Sequence, residues 1–283
     1  MLKLFTKTET RDHIEPALGD GATASLAQTL DQRLLRVFGL PYLRLTREDS
    51  IHERLRYLVH VVRELGVGRF PMRILDVGCG SGLALWYLSR YCPAQVSSYI
   101  GIDLSTHRLV PRYSDVSTNH SFRDVNLDDD WHVGGVDLAW CSETLEHLVD
   151  DSGVFRKICR SVASGGHIVT TMPSRPHLES MARFLPQLLE VSRSQDGSHV
   201  RVGYDPSSLA ALSAGTSASL RRVDYITRSD LAYLRRRYAW PTWAQPLNTW
   251  INALVRGDSD RFALNGSGKA DDYLSIAAIY DVN

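Results

Sequence analysis

An α/β fold with a mostly parallel sheet is predicted by three observations. Short apolar runs alternate with helix-period segments from Arg73 onward, a cluster of glycines marks the first strand-to-helix turn, and the composition, 43% apolar and 23% charged, is that of an ordinary globular chain. A length of 283 residues is enough for one large domain with elaborations.

The first five strands are expected at 73–77 (RILDV), 99–103 (YIGID), 121–125 (SFRDV), 136–141 (VDLAWC) and 167–171 (HIVTT), each short and most of them suited to burial on both faces. Crossover helices are expected at 81–90 and 151–163, with Ser81 and Asp151 near their starts, and the stretch NLDDDWHVGG reads as a turn-rich link. A late helix at 205–215, begun by Asp205 and stopped by Gly215, precedes two further strand candidates, SLRRVDYIT and DYLSIAAIYDV. The expected total is seven strands, with an antiparallel edge. Upstream, the amphipathic segment 47–65 predicts an N-terminal helical cap spanning 1–72. Within the remaining domain, 73–283, the segments 174–204 and 229–272 stand outside the alternation and are candidate lids.

Charge excludes some functions. Lys plus Arg equals Asp plus Glu at 32 each, so no global field attracts nucleic acid, and no such partner is expected. Neither a signal peptide nor an uninterrupted apolar span of membrane length is visible, which predicts a cytoplasmic protein. Cys79, Cys92, Cys141 and Cys159 form no CxxC pair and most fall in or beside apolar segments, so neither a disulfide nor a metal site is expected of them.

The segment ILDVGCGSG carries the functional signal. A strand ending at Asp76 and Val77 runs into Gly78, Gly80 and Gly82, which permit a tight turn and a close approach of backbone to a ligand at the carboxyl edge of the sheet. Dinucleotide spacing fails, because the last glycine position is Leu83, and no Lys-Ser or Lys-Thr follows for a phosphate loop. The acidic Asp76 suits a ligand carrying an ammonium group. A bare structural turn is the alternative.

This D-x-G-x-G-x-G pattern resembles the first motif of class I S-adenosylmethionine-dependent methyltransferases, which have a Rossmann-like sheet. The resemblance runs through most of 73–171 and implies S-adenosylmethionine as cofactor. It implies contacts from Asp76, Gly78, Gly80 and Gly82, ribose hydrogen bonds to Asp103 with Leu104 beside it, and adenine contacts at Asp124 and the amide of Val125. Cys141, Ser142 and Glu143 would line the methionine half of the pocket. As a bland alternative, Asp103 caps a helix and Asp124 is a turn residue. Gly165 and Gly166 are read as a structural turn.

Two histidines are candidates for the base that an alcohol or phenol acceptor needs. His147 lies in SETLEHL, just past the fourth strand. His199 lies in SHVRVGY, which resembles a family segment H-x-R-x-Y/F, although Gly203 adds one residue before Tyr204. Either histidine could equally order a loop by packing. No Asn-Pro-Pro-Tyr segment follows the fourth strand, which speaks against amino methylation of nucleic-acid bases. The implied function is methyl transfer to a small-molecule acceptor, with a hydroxyl of a sugar, lipid or secondary metabolite implied by resemblance. The alternatives are a cofactor-binding cyclase or structural partner on the same fold, and a nucleotide-dependent oxidoreductase that Leu83 opposes. The segment around Arg235, Arg236, Arg237, Trp240, Trp243 and Trp250 fits a substrate cover, a homodimer surface, a membrane-surface helix or simple core packing.

Overall fold

The structure is a computed structural model that describes residues 50–67, 71–106, 109, 116–182, 189–191, 199–228, 262–268 and 270–283. Most of the expected N-terminal cap and most of the second candidate lid, with its three tryptophans, lie outside these residues.

Strands β1 (Met72–Val77), β2 (Val96–Asp103), β3 (Asn119–Asp124), β4 (Val136–Ser142) and β5 (Val162–Pro173) form the parallel half of the sheet. Strands β6 (Ala218–Arg228), β7 (Phe262–Ala263) and β8 (Tyr273–Val282) complete it in the order β3-β2-β1-β4-β5-β8-β6-β7. β8 runs antiparallel to β5 and to β6, and β6 antiparallel to β7. Eight strands lie among the described residues, one more than the seven expected. The extra strand is a two-residue pairing of Phe262 and Ala263 with Ile226 and Tyr225, too short to leave a period-two pattern.

Helices α1 (Ser50–Leu65) and α2 (Leu83–Tyr91) cover one face, while α3 (Asp151–Ser161) and α5 (Pro206–Leu212) cover the other; α4 (Arg175–Ala182) follows β5. Alternate residues of β1 divide between the layers. Ile74 packs with Leu58, Val62, Leu85 and Leu88, whereas Leu75 and Val77 pack with Val154, Phe155 and Ile158. The amphipathic stripe of α1 thus belongs to the packed layer over the sheet. Among the described residues no helix is long and apolar enough to cross a membrane.

Local chemistry explains the element ends. Gly82, at φ 70°, begins α2 without a side-chain cap, and Ser81 stands just before it, near the start as expected. Asp150 rather than Asp151 caps α3, accepting from the Gly153 amide at 2.8 Å. Asp205 and Ser208 form a reciprocal capping box on α5, with Pro206 in its first turn. β5 begins at Val162, earlier than expected. Its pairing to β4 jumps from Val136↔Val162 to Leu138↔His167, and the intervening residues, Gly165 at φ 78° among them, bulge out. The edge strand β3 is largely exposed, unlike the interior strands.

Candidate active site

The strand order reverses between β2-β1 and β1-β4, which opens a crevice at the carboxyl ends of β1, β2 and β4. The glycine turn is stitched to β2 there. Gly78 and Cys79 donate backbone hydrogen bonds to the Ile102 carbonyl at 2.8 and 3.1 Å, and the Gly80 amide donates to Asp103 Oδ2 at 2.9 Å. Gly80 has φ 53°, and a Cβ built on it would meet no atom within 4 Å, so open space lies over this turn where a ligand can approach the backbone. Gly78 is different. A Cβ there would sit 2.2 Å from Thr144 Oγ1, so its bareness serves the close packing of β1 against the loop after β4.

Asp103 is 4% exposed and also accepts from the Leu104 amide at 2.7 Å. A carboxylate offers about four lone-pair positions, the acceptor chemistry that ribose hydroxyls require. The Leu104 side chain is 67% exposed beside it, an apolar surface for a flat ring. Asp76 is buried and accepts a hydrogen bond from the Tyr99 hydroxyl, and burial raises its pKa to about 7. Asp124 accepts from the amide and hydroxyl of Thr106, so it holds the turn after Asp103. The Val125 N–H donates to the Asp103 carbonyl at 2.8 Å, continuing the β2–β3 ladder.

At the end of β4, Cys141 is buried in the core, and burial holds its thiol well above the ordinary range. The hydroxyls of Ser142 and Thr171 are 2.8 Å apart. Glu143 takes positive φ (49°), its amide donating to the Thr171 carbonyl at 2.8 Å, and its Oε2 lies 3.6 Å from Arg54 of α1. Thr144 Oγ1 donates to the Ser142 carbonyl at 3.0 Å.

The short turn Leu145–His147 follows, and it meets the second histidine segment. The imidazoles of His147 and His199 stand edge to face with centroids 4.7 Å apart. Between the two segments, the Val200 amide donates to the Glu146 carbonyl at 2.9 Å. Arg201 donates to the Leu148 carbonyl at 2.6 Å and pairs with Asp151, which also accepts from the Tyr204 hydroxyl at 2.7 Å. Thus Asp151, read in sequence as a helix start, anchors the His199 segment. Burial, and then the charge of His147, push His199 down to about pKa 4, so its ring is neutral near pH 7. Burial and then the charge of Glu143 hold Glu146 well above the carboxylate range.

The candidate residues of the sequence therefore divide into two groups along one edge: Gly80, Asp103 and Leu104 at the glycine turn, and Ser142, Glu143, His147 and His199 beyond β4. Sequence reasoning missed Glu146 and Arg54. Glu146 stands next to His147, three residues after Glu143, and that spacing was the available signal; Arg54 gave none.

A doubly wound sheet with a bare glycine turn against a buried acidic residue defines a nucleoside-binding α/β enzyme fold. Residues 50–234 match a family profile described as a methyltransferase domain, and the chain belongs to that family, the S-adenosylmethionine-dependent methyltransferases of the class I fold. Similar solved structures include magnesium protoporphyrin IX methyltransferase from Synechocystis with bound S-adenosylhomocysteine, at TM-score 0.52 and 12% identity over 90% of this chain and 100% of that one. The YcgJ protein from Bacillus subtilis has TM-score 0.50 and 17% identity, over 82% and 98%. Among curated relatives, the ubiquinone biosynthesis O-methyltransferase of Cronobacter sakazakii is 31% identical over 112 residues, which is 38% of this chain and 44% of the relative. That of Pectobacterium atrosepticum is 30% identical over 106 residues, 36% and 42%. The chain spans less than half the length of these relatives. S-adenosylmethionine is the cofactor of the family, and the open space over Gly80 with the buried carboxylate of Asp103 beside it fits it.

Proposed function

We propose that this chain transfers the methyl group of S-adenosylmethionine to a hydroxyl of a small molecule, with the cofactor on Gly78, Gly80, Gly82, Asp103 and Leu104 and the acceptor beside His147 and His199. The observation that carries the reading is the meeting of these histidines at the strand edge that also carries the glycine turn. The names of the curated relatives, O-methyltransferases of a quinone pathway, support a hydroxyl acceptor. Methyl transfer from a sulfonium is an in-line displacement, so the protein mainly aligns oxygen, carbon and sulfur. An alcohol or phenol must also lose its proton, and the histidine pair is the group placed to activate it. Asp124 and Asp76 act in this reading by holding the loops that shape the cofactor edge, and Ser142 and Glu143 by lining its methionine end.

The test is a screen of phenols, catechols and sugar alcohols with methyl-labelled cofactor, read by mass spectrometry. Acceptor-dependent formation of S-adenosylhomocysteine and a labelled product is expected. Binding of cofactor without transfer to any acceptor of the panel would instead favour a cofactor-holding protein of another activity.

We extend the reading to the segment 174–204 as a cover over the acceptor. Its ends are pinned together at the end of β5, where Ser174 bridges Tyr204 and the Tyr204 amide donates to the Pro173 carbonyl at 2.9 Å. Amide hydrogen exchange at 174–182 and 199–204 is expected to slow when acceptor and S-adenosylhomocysteine bind together. Exchange that does not change there would make the segment purely structural.

A further inference from the structure

Glu146 presents an unsatisfied buried carboxyl group. Its side chain is fully buried, and neither carboxylate oxygen has a hydrogen-bond partner. Native folds rarely leave such a group uncompensated. The cations nearby are committed elsewhere: Arg54 lies against Glu143, and Arg201 is held by Asp151 and the carbonyls of Leu148 and Val149. Its closest cationic neighbour is His147, with Nε2 3.9 Å from Oε1.

We propose that Glu146, His147 and His199 bind one divalent first-row transition-metal ion of the Mn2+ or Zn2+ kind beside the methyl-transfer edge. One carboxylate oxygen and two imidazole nitrogens lie within 4.8 Å of one another. Bonds of about 2.0–2.2 Å to a common ion would need these atoms only modestly closer. Two imidazoles with one carboxylate form a donor set for transition ions, whereas Mg2+ prefers oxygen ligands. Three protein ligands also leave coordination positions for an acceptor oxygen. The expectation of no metal weighed only the cysteines, and it could not see His199 arrive at Glu146 from a distant segment.

The consequence for catalysis deepens the proposed function and rests on it, while the binding of the ion does not. An acceptor hydroxyl on the ion would release its proton to water, its oxygen lone pair would form the O–CH3 bond, and the C–S electron pair would return to sulfur. The histidines then activate the acceptor as ligands rather than as proton acceptors.

The test uses the full chain after chelator treatment, titrated with MnCl2 or ZnCl2 alone and followed by calorimetry and, for Mn2+, by electron paramagnetic resonance. One equivalent should bind, and Glu146→Gln and His199→Ala should each weaken it by about tenfold or more, since even changes behind the ligands have about that effect. Calorimetry with S-adenosylhomocysteine checks that each variant is folded. Should a variant not fold, spin-echo spectra of wild-type Mn2+ protein decide, because two imidazole nitrogen couplings are expected and their absence overturns the site. No binding of either ion, equal affinity in both folded variants, or a preference for Mg2+ would also overturn it. Full acceptor-dependent turnover by a metal-free chain sinks the catalytic role of the ion and leaves the proposed function standing. A metal-binding chain without turnover leaves the metal site standing and sinks the proposed function.

Discussion

Replacing His147 and His199 together by alanine is expected to lower turnover on a hydroxyl acceptor by about 10²–10⁴, the usual contribution of a group that activates a proton-bearing nucleophile. Affinity for S-adenosylhomocysteine should stay within about twofold, since no atom of either ring is assigned to the cofactor. The single variants should each lose nearly as much as the pair, because the rings touch at 4.7 Å and serve one oxygen as a unit. The loss should shrink as pH rises toward the pKa of the acceptor, since a hydroxyl already ionised in solution needs no activation. That recovery should be larger for a phenol than for a sugar alcohol. Steady-state kcat and KM across pH, with calorimetry for the cofactor, check these outcomes. Full turnover by the double variant at neutral pH would mean that alignment alone carries the reaction and that the histidines only hold two loops together.

Substituting Gly80 by valine is expected to abolish measurable binding of S-adenosylmethionine and S-adenosylhomocysteine in a chain that still folds. The new side chain would occupy the space over the turn, where no protein atom lies within 4 Å. Positive φ at this residue also strains a β-branched side chain, at a cost of about 1–2 kcal/mol. That cost is small beside the stability of a domain, so thermal unfolding should remain cooperative with a modestly lower midpoint. Gly78→Val is the informative contrast. Its side chain would strike Thr144, so it should damage the fold itself and say little about the ligand. Asp103→Ala should give a graded loss, about 1.5–3 kcal/mol or roughly 10–100-fold in affinity, by removing hydrogen bonds to a charged acceptor. Calorimetry beside thermal melts separates the three variants, and unchanged affinity in both Gly80→Val and Asp103→Ala would contradict the assigned edge.

The parallel half of the fold was legible because each interior strand is a short run of apolar residues buried on both faces, a pattern that tertiary context reinforces. The bulge in β5 was not, since its identity depends on the partner: only against β4 do residues 163–166 become the excess that must loop out. The same holds for β7, which exists only because β6 offers it an edge. The bare turn at Gly80 and the acid at Asp103 were legible in sequence because a turn without Cβ atoms and an acid at a strand end are properties of the chain itself. The fate of the Val125 amide was invisible, because the ladder hydrogen bond that takes it joins two separate strands.

By itself, the sequence determined that an α/β sheet forms, that its first turn is rich in bare backbone, and that Asp103 stands at the next strand end. These are consequences of local periodicity and of glycine stereochemistry, and they act over a few neighbouring residues. Only the tertiary structure decided that His199 meets His147, that Asp151 and Arg201 hold the two segments in place, and that Glu146 is buried beside them with no hydrogen bond to its carboxyl oxygens. The physical reason is that burial and charge pairing are properties of surroundings assembled from distant segments. A glutamate on a polar loop in the sequence becomes a buried acid only when the segment carrying His199 packs against it.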